Sequence, residues 1–513
     1  MQLRFSVFGL LVCAWLFGSF PMVQAQITGP TPPETFNSLS QNSVSNMGAI
    51  GDSLWVGPLM MLNVNNSLDF IFPERADSIA AGPGRLFSIA LAADTVFAGL
   101  GFNFQSGGSS VQTSLGFHVS TDGGLNWGYI PPPLDDETAT SIRYGDQFLE
   151  AVPVIVPQQS PPYNVAFRGE RVFFAGWASG IRRSLDFGQT WERLLLPPRD
   201  VNTLNPEVTY NFVFDPRLDN NFLGFSVMID SDGYVWAGTA GGLNISENAL
   251  TDPAHLVRWN KTRRSGSSSG LLGNWIIRIK ENTFDGGVWM TNWIAEGSDQ
   301  QGIVVTYDRG QTFTQYLIGE QIYDLAFEGE RIYAAGNNGL FISPDNGQSW
   351  NQIRQISTPN GFIRANADYL SLATTTDRLW VGTTDGLAST DDGGESWQLT
   401  RVNFPLTGGN QFVPDARDTD SYAYPNPFSK RIHELVRIKF EAKRNGNARI
   451  RLFDFGMNLI RELDSGVPVT EGQTYEAVWD GTDGSGRIVA NGPVFYVISV
   501  GGSETTGKIL VLD

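Results

Sequence analysis

One phrase constrains this chain more than any other. Glu330 to Trp350 reads ERIYAAGNNGLFISPDNGQSW, and Asp377 to Trp397 returns it as DRLWVGTTDGLASTDDGGESW. Each copy holds two short apolar runs joined by a tight turn, then a second turn that leads into a Trp. Short runs broken by Gly-Asn and Asp-Gly pairs are consecutive antiparallel strands with tight hairpins. A small sheet cannot bury both of its faces alone, so a chain that repeats one must stack or close its copies.

The first half of the unit occurs seven times. SVSNMGAIGDSLWVG closes at Gly57, FSIALAADTVFAG at Gly99, YNVAFRGERVFFAG at Gly176 and GFSVMIDSDGYVWAG at Gly238. The fifth, WIIRIKENTFDGGVWMT, ends at Thr291 without the Gly; IYDLAFEGERIYAAG and ADYLSLATTTDRLWVG close at Gly336 and Gly382. Seven units in roughly 370 residues predict an all-β chain whose residues 26–400 form a seven-bladed β-propeller. Closing a ring leaves only short, protected strand edges.

Five units continue into a second hairpin of fixed form. Its positions are Ser120, Asp122, Gly124, Asn126 and Trp127; Ser184, Asp186, Gly188, Thr190 and Trp191; and Thr306, Asp308, Gly310, Thr312 and Phe313. Ser343, Asp345, Gly347, Ser349 and Trp350 follow, then Thr390, Asp392, Gly394, Ser396 and Trp397. Unit four keeps Ser246 and Trp259 but not the Asp and Gly, and unit one has none of it. A turn Asp can accept N–H groups of its own turn, Gly supplies positive φ, and Trp covers the turn with a large apolar surface. This phrase resembles the Asp-box (BNR) repeat, S-x-D-x-G-x-[ST]-W. The aspartates therefore read as turn staples, not catalytic acids or metal ligands.

The first 25 residues stand apart: Arg4, an apolar run from Phe5 to Phe20, and Val23-Gln24-Ala25 as a cleavage site make a secretory signal peptide. The single cysteine, Cys13, lies inside it, so the mature chain has no disulfide, thiolate metal site or thiol nucleophile. No later run is long enough to span a membrane. Net charge is −18, and loss of Arg4 with the signal peptide makes it −18 − 1 = −19, which disfavours nucleic acid as a partner. His118, His255 and His433 are scattered, outside any metal or triad spacing, and no cofactor is implied.

Box hairpins lie on the face opposite the other loops, so ligands are expected among loops that do not repeat. Gly99 to Gly116 carries Phe102 and Phe104; Met290 to Gly302 carries Trp293, Glu296 and Asp299; AGWASG presents Trp177. The long connection from Tyr129 to Pro162 is acidic at Asp135, Asp136 and Glu137. Aromatic residues among polar loops suit sugar stacking or a peptide partner. Asp-box propellers include sialidases and endoglucanases, but no Arg-Ile-Pro motif occurs; the nearest phrase, Phe362-Ile363-Arg364-Ala365, falls in unit seven. The chain looks more like the sortilin-like and photosystem-assembly propellers, which bind without catalysis. The rivals are a secreted glycoside hydrolase, sialidase-like or endoglucanase-like, and a structural surface component.

After a polar linker, 401–421, the pattern changes. Val436 to Phe440, Ala448 to Leu452 and Val494 to Val500 alternate as strands of a small β-sandwich over 422–513. Tyr424-Pro425-Asn426-Pro427-Phe428, then IRLFDFGMNLIREL, then VWDGTDGSGRIVANGPVFYVISVGG and GKILVLD resemble the type A C-terminal sorting domain of the type IX secretion system. They also resemble the Ig-like domain of flagellar hook-capping proteins. Two features depart from the sorting pattern: Gly492-Pro493-Val494-Phe495-Tyr496 replaces its G-x-Y-F phrase, and the last residue, Asp513, is acidic. The resemblance implies the type IX machinery as partner and a secreted or outer-membrane surface location in a Bacteroidota-like bacterium.

Overall fold

A computed structural model describes residues 37–402 and 420–512, apart from 40, 59, 72–84, 107–108, 360, 432 and 434. The expected signal peptide and most of the expected linker lie outside the described residues. Among the described residues the repeated units form seven antiparallel sheets. Their innermost strands are Met47–Ile50, Arg85–Ala92, Pro162–Arg168, Gly224–Ile229, Trp275–Asn282, Ile322–Glu328 and Tyr369–Thr375. Each packs on the innermost strand of the next unit, and the first packs on the seventh, so the sheets are blades of a closed propeller.

The ring closes through side chains at one repeated position. In six blades the innermost strand breaks register just after its start, between Leu86 and Ser88, Pro162 and Asn164, Gly224 and Ser226, Ile276 and Arg278, Ile322 and Asp324, and Tyr369 and Ser371. A bulge leaves one residue unpaired and re-aims its neighbours. The polar residue after the bulge reaches the next blade. Ser88 Oγ donates to Pro162 O (2.8 Å), Ser226 Oγ to Ile276 O (3.0 Å) and Ser371 Oγ to Val44 O (2.9 Å). Asn164 Oδ1 accepts Val227 N–H (2.9 Å), and Asp324 Oδ2 accepts Leu372 N–H (2.9 Å). Blade one has no such bulge, and its Asn46 amide donates to Phe87 O of blade two.

The closing glycine of the unit is the other half of this device. Ser88, Ser226 and Ser371 pair across their hairpins with Gly99, Gly238 and Gly382. A Cβ on Gly238 would lie 2.3 Å from Ser226 Oγ and 2.5 Å from Ile276 O. Where Asn164 or Asp324 follows the bulge, the partner is Ala175 or Ala335 instead. In blade five the pair is Arg278 with Thr291, which is why that unit lacks the glycine.

The repeated hairpins between third and fourth strands tie their own turns. Ser343 Oγ donates to Asp345 Oδ1 (2.9 Å), Asp345 accepts Ser349 N–H (2.8 Å) and Ser349 Oγ–H (2.6 Å), and Gly347 N–H donates to Ser343 Oγ (2.8 Å). Gly347 sits at φ 89°. The Trp127, Trp191 and Trp397 indoles donate to the carbonyls of Gly124, Gly188 and Gly394, at 2.9, 3.0 and 3.1 Å. Phe313 is buried in the corresponding place, while Trp350 packs on Tyr316. Blade four keeps more of the motif than its sequence suggests: Asn248 Oδ1 accepts the Ser246 hydroxyl (3.1 Å) and Arg258 N–H (2.9 Å).

These carboxylates carry a pH signature. The Asn126 side-chain amide, Asn126 N–H and the Ser120 hydroxyl hold Asp122 down at about 2. Asp186, Asp308, Asp345 and Asp392 are also lowered. A group depressed in the folded state contributes stability that is present above its unfolded value of about 4 and fades as pH falls through the folded value. Asp122→Ala is therefore expected to lower the urea midpoint at neutral pH. The gap to the parent protein should narrow between pH ~4 and ~2; a gap independent of pH would show that the carboxylate charge contributes nothing.

The C-terminal residues form two facing antiparallel sheets. One holds Ser421–Tyr424, Val436–Glu441 and Thr474–Trp479; the other holds Gly446–Phe453, Leu459–Val469, Gly492–Val500 and Ser503–Val511. Their core includes Phe428, Ile438, Ile450, Trp479, Tyr496 and Ile498. The sandwich docks on blade seven through charge. Arg437 donates to Asp385 and to Glu476, Arg401 lies 3.1 Å from Glu476 and 3.3 Å from Asp385, and the Tyr424 hydroxyl donates to Glu476 (3.1 Å). The side chains of Arg437, Asp385, Glu476 and Arg401 are only 2%, 6%, 7% and 8% exposed. Arg401, placed by sequence at the start of a linker, is thus buried within this joint.

Candidate functional site

The seven innermost strands start on one face of the ring, which also carries the hairpins from second to third strand. Box hairpins, from third to fourth strand, lie on the other face. At the starting ends the bulges aim Phe87, Tyr163, Phe225, Ile277, Tyr323 and Leu370, four of the six aromatic, out of the sheet pairing. There the channel opens into a pocket of about 370 Å³. Asn46, Arg85, Phe87, Gln112, Tyr163, Phe225, Trp275, Ile277, Arg278 and Trp293 are the residues that give it its chemistry.

Aromatic rings run along the wall from blade three to blade six. Tyr163 lies 6.2 Å from Phe225, Phe225 lies 5.2 Å from Trp275, and Trp293 meets Tyr323 edge-on at 5.4 Å. The Trp293 indole donates to Ile322 O (2.8 Å), which fixes its ring. Burial raises the Tyr163 phenol to about 12, so its hydroxyl stays neutral and able to donate. On blades one and two stand the Asn46 and Gln112 amides and the Arg85 guanidinium, while Arg278 shares its strand with Trp275. Arg85 lies over the Phe87 ring at 5.2 Å and donates to Asn103 Oδ1 (3.0 Å). A small concave site with aromatic platforms and few polar groups holds a ring-shaped, hydroxylated ligand well.

The expected binding residues separate. Trp293 lines the pocket, and Trp177 stands behind it against Phe225 at 5.6 Å. The stretch from Gly99 to Gly116 is not a loop. It is the extension of a long hairpin, Thr95–Ser106 with Ser109–Ser120, in which Asn103 pairs with Gln112, Phe104 with Val111 and Phe102 with Thr113. Side chains alternate between the faces of a strand. Gln112 faces the pocket, so Phe102 and Phe104 are on the other face. Glu296 is at the rim, 3.2 Å from Arg199, beside a separate polar recess. The Asp299 side chain is covered, accepting Asn274 N–H and Ala295 N–H (both 3.3 Å) and lying 3.7 Å from Arg264. The acidic connection behaves likewise: Asp135 is gripped by both Arg182 nitrogens (2.7 and 2.9 Å) and is structural.

Sequence reasoning missed Phe87, Tyr163, Phe225, Trp275 and Tyr323. The signal was present: the units open on Phe-Ser, Tyr-Asn, Phe-Ser and Tyr-Asp at one position. An apolar residue beside a polar one at a strand start reads as ordinary alternation unless a bulge is foreseen.

No family model and no curated protein matches the chain. Among solved structures it is similar to PorZ, an essential surface component of the type IX secretion system of Porphyromonas gingivalis. That match has 12% identity, covers 93% of this chain and 76% of that one, and has a TM-score of 0.36. It is similar to a GH74 enzyme of Niastella koreensis, with 13% identity, 94% and 75% coverage and a TM-score of 0.46. It is also similar to the extracellular domain of a putative hybrid two-component system of B. thetaiotaomicron, with 11% identity, 91% and 72% coverage and a TM-score of 0.36. The all-β propeller fold of this chain rests on its own seven sheets and their ring of contacts.

Proposed function

We propose that this protein is a secreted or surface-displayed binding propeller that holds an extracellular glycan in its central pocket and does no chemistry on it. The observation that supports this most directly is the pocket's make-up: Tyr163, Phe225, Trp275 and Trp293 on one wall, Asn46 and Gln112 among the groups on the other. Aromatic faces stack on the apolar face of a pyranose while amides take its hydroxyls. The five hairpins serve as Asp-box staples on the far face. The signal peptide and the Tyr424–Phe428 segment with the strands after it serve export, the latter as a type A sorting domain that engages the type IX machinery. Binding should be measured on a glycan array with the mature chain and with Trp293→Ala. Loss of an aromatic platform is expected to weaken the positive glycans by about 10–100-fold, from roughly 1–3 kcal/mol of stacking. An array blank for the parent protein, or hits indifferent to Trp293→Ala, would refute the reading.

A further inference from the structure

We infer that the pocket takes a carboxylate-bearing saccharide, a uronic-acid sugar, and that Arg278 and Arg85 hold its carboxylate; this rests on the glycan reading above. The first ground is a break in the repeat. At the position after the bulge, five other blades carry Ser88, Asn164, Ser226, Asp324 and Ser371, each tied to an adjacent blade. Blade five carries Arg278, whose guanidinium faces Asp324 of blade six at 3.7 Å and also lines the pocket. Departures from a local structural rule concentrate where a protein does something other than fold.

The second ground is that neither guanidinium is used up. Arg278 Nε is buried without a hydrogen-bond acceptor among the described residues. The carboxylate nearest to it, Asp324, is 3.7 Å away, beyond hydrogen-bond reach, and Asp324 already has Lys280 Nζ at 2.8 Å and Leu372 N–H at 2.9 Å. Among the described residues, Arg85 meets the neutral Asn103 amide oxygen and the Phe87 face. Two guanidinium groups, with no carboxylate among the described lining residues, make a cationic pocket in a chain of net charge −18. Guanidinium groups match carboxylates in shape and charge. A peptide fits less well, because strand addition needs an unbroken edge and the bulges interrupt the inner-strand edges at this level.

The test is titration of the mature chain with oligogalacturonate, with its carboxyl-reduced neutral form, and with an acidic oligopeptide. Oligogalacturonate is expected to bind, the reduced form at least about 10-fold more weakly, and the peptide not to compete. Arg278→Gln and Arg85→Gln should each weaken oligogalacturonate at least about 10-fold, and affinity should fall as ionic strength rises from about 0.05 to about 0.5 M. Arg85 has no ion pair among the described residues, so its variant keeps the test valid if Arg278→Gln disturbs blade five. Equal binding of acidic and reduced forms, lost in Trp293→Ala but not in the arginine variants, would overturn this inference and leave the glycan reading standing. Binding of neither sugar would overturn this inference and leave the glycan reading to the array, and peptide binding alone would reassign the pocket.

Discussion

Arg437→Met is expected to destabilise the protein by about 3 kcal/mol and to uncouple the C-terminal sandwich from the propeller. Arg437 is the group from the sandwich that reaches both Asp385 of blade seven and Glu476 of its own sheet. Removing it leaves two carboxylates in a joint that almost excludes water, with Arg401 as the cation facing both. Water cannot compensate there, so the loss far exceeds that of a surface ion pair, about 0–1 kcal/mol. Methionine keeps most of the volume, so the effect reports charge and not a cavity. Calorimetry should show the sandwich melting apart from and below the propeller. Hydrogen exchange should quicken in Val436–Glu441 and Gly386–Thr390 together. A single unshifted transition with unchanged exchange would mean that apolar packing, not this cluster, joins the two parts.

Gly238→Val is expected to cost about 3 kcal/mol, at the upper end for overpacking. The new Cβ would meet the Ser226 hydroxyl and the Ile276 carbonyl, so it pushes on the next blade's backbone as well as on its own. Removing the hydroxyl in a Gly238→Val, Ser226→Gly double variant relieves one contact and leaves the other, so rescue should be partial. Gly128→Ala is the control, since its Cβ would find only Val119 O at 3.8 Å. Urea midpoints with unchanged slopes measure all three. Full rescue by Ser226→Gly would show that blade spacing has slack at this seam.

The closing glycine shows both how much was legible and why the rest was not. Its recurrence at Gly99, Gly176, Gly238, Gly336 and Gly382 could be read directly and supported the count of blades. Its cause in blades two, four and seven, a serine crossing to the next blade, depends on which residue a bulge displaces. That choice is made by packing between sheets, and period-2 alternation contains no trace of it. The gap at Thr291 marks the blade that supplies Arg278 to the pocket.

The candidate site divides in the same way. Trp293, Glu296 and Asp299 lie within seven consecutive residues but go to a channel wall, a rim and a loop interior. Sequence proximity says nothing about direction once a strand has ended. Phe102 and Phe104 failed for the opposite reason. They belong to a regular strand whose period turns them away from the face that Gln112 presents.

From the sequence alone follow the all-β class, the seven units and the five box hairpins, because these rest on contacts between residues close in the chain, where spacing and residue type are enough. The closure of the ring, the pocket and the docking of the sandwich came only with the tertiary structure. They join Ser371 to Val44 and Arg437 to Asp385, and they bring Arg85 and Arg278 to the lining of one pocket, which only the folded geometry does.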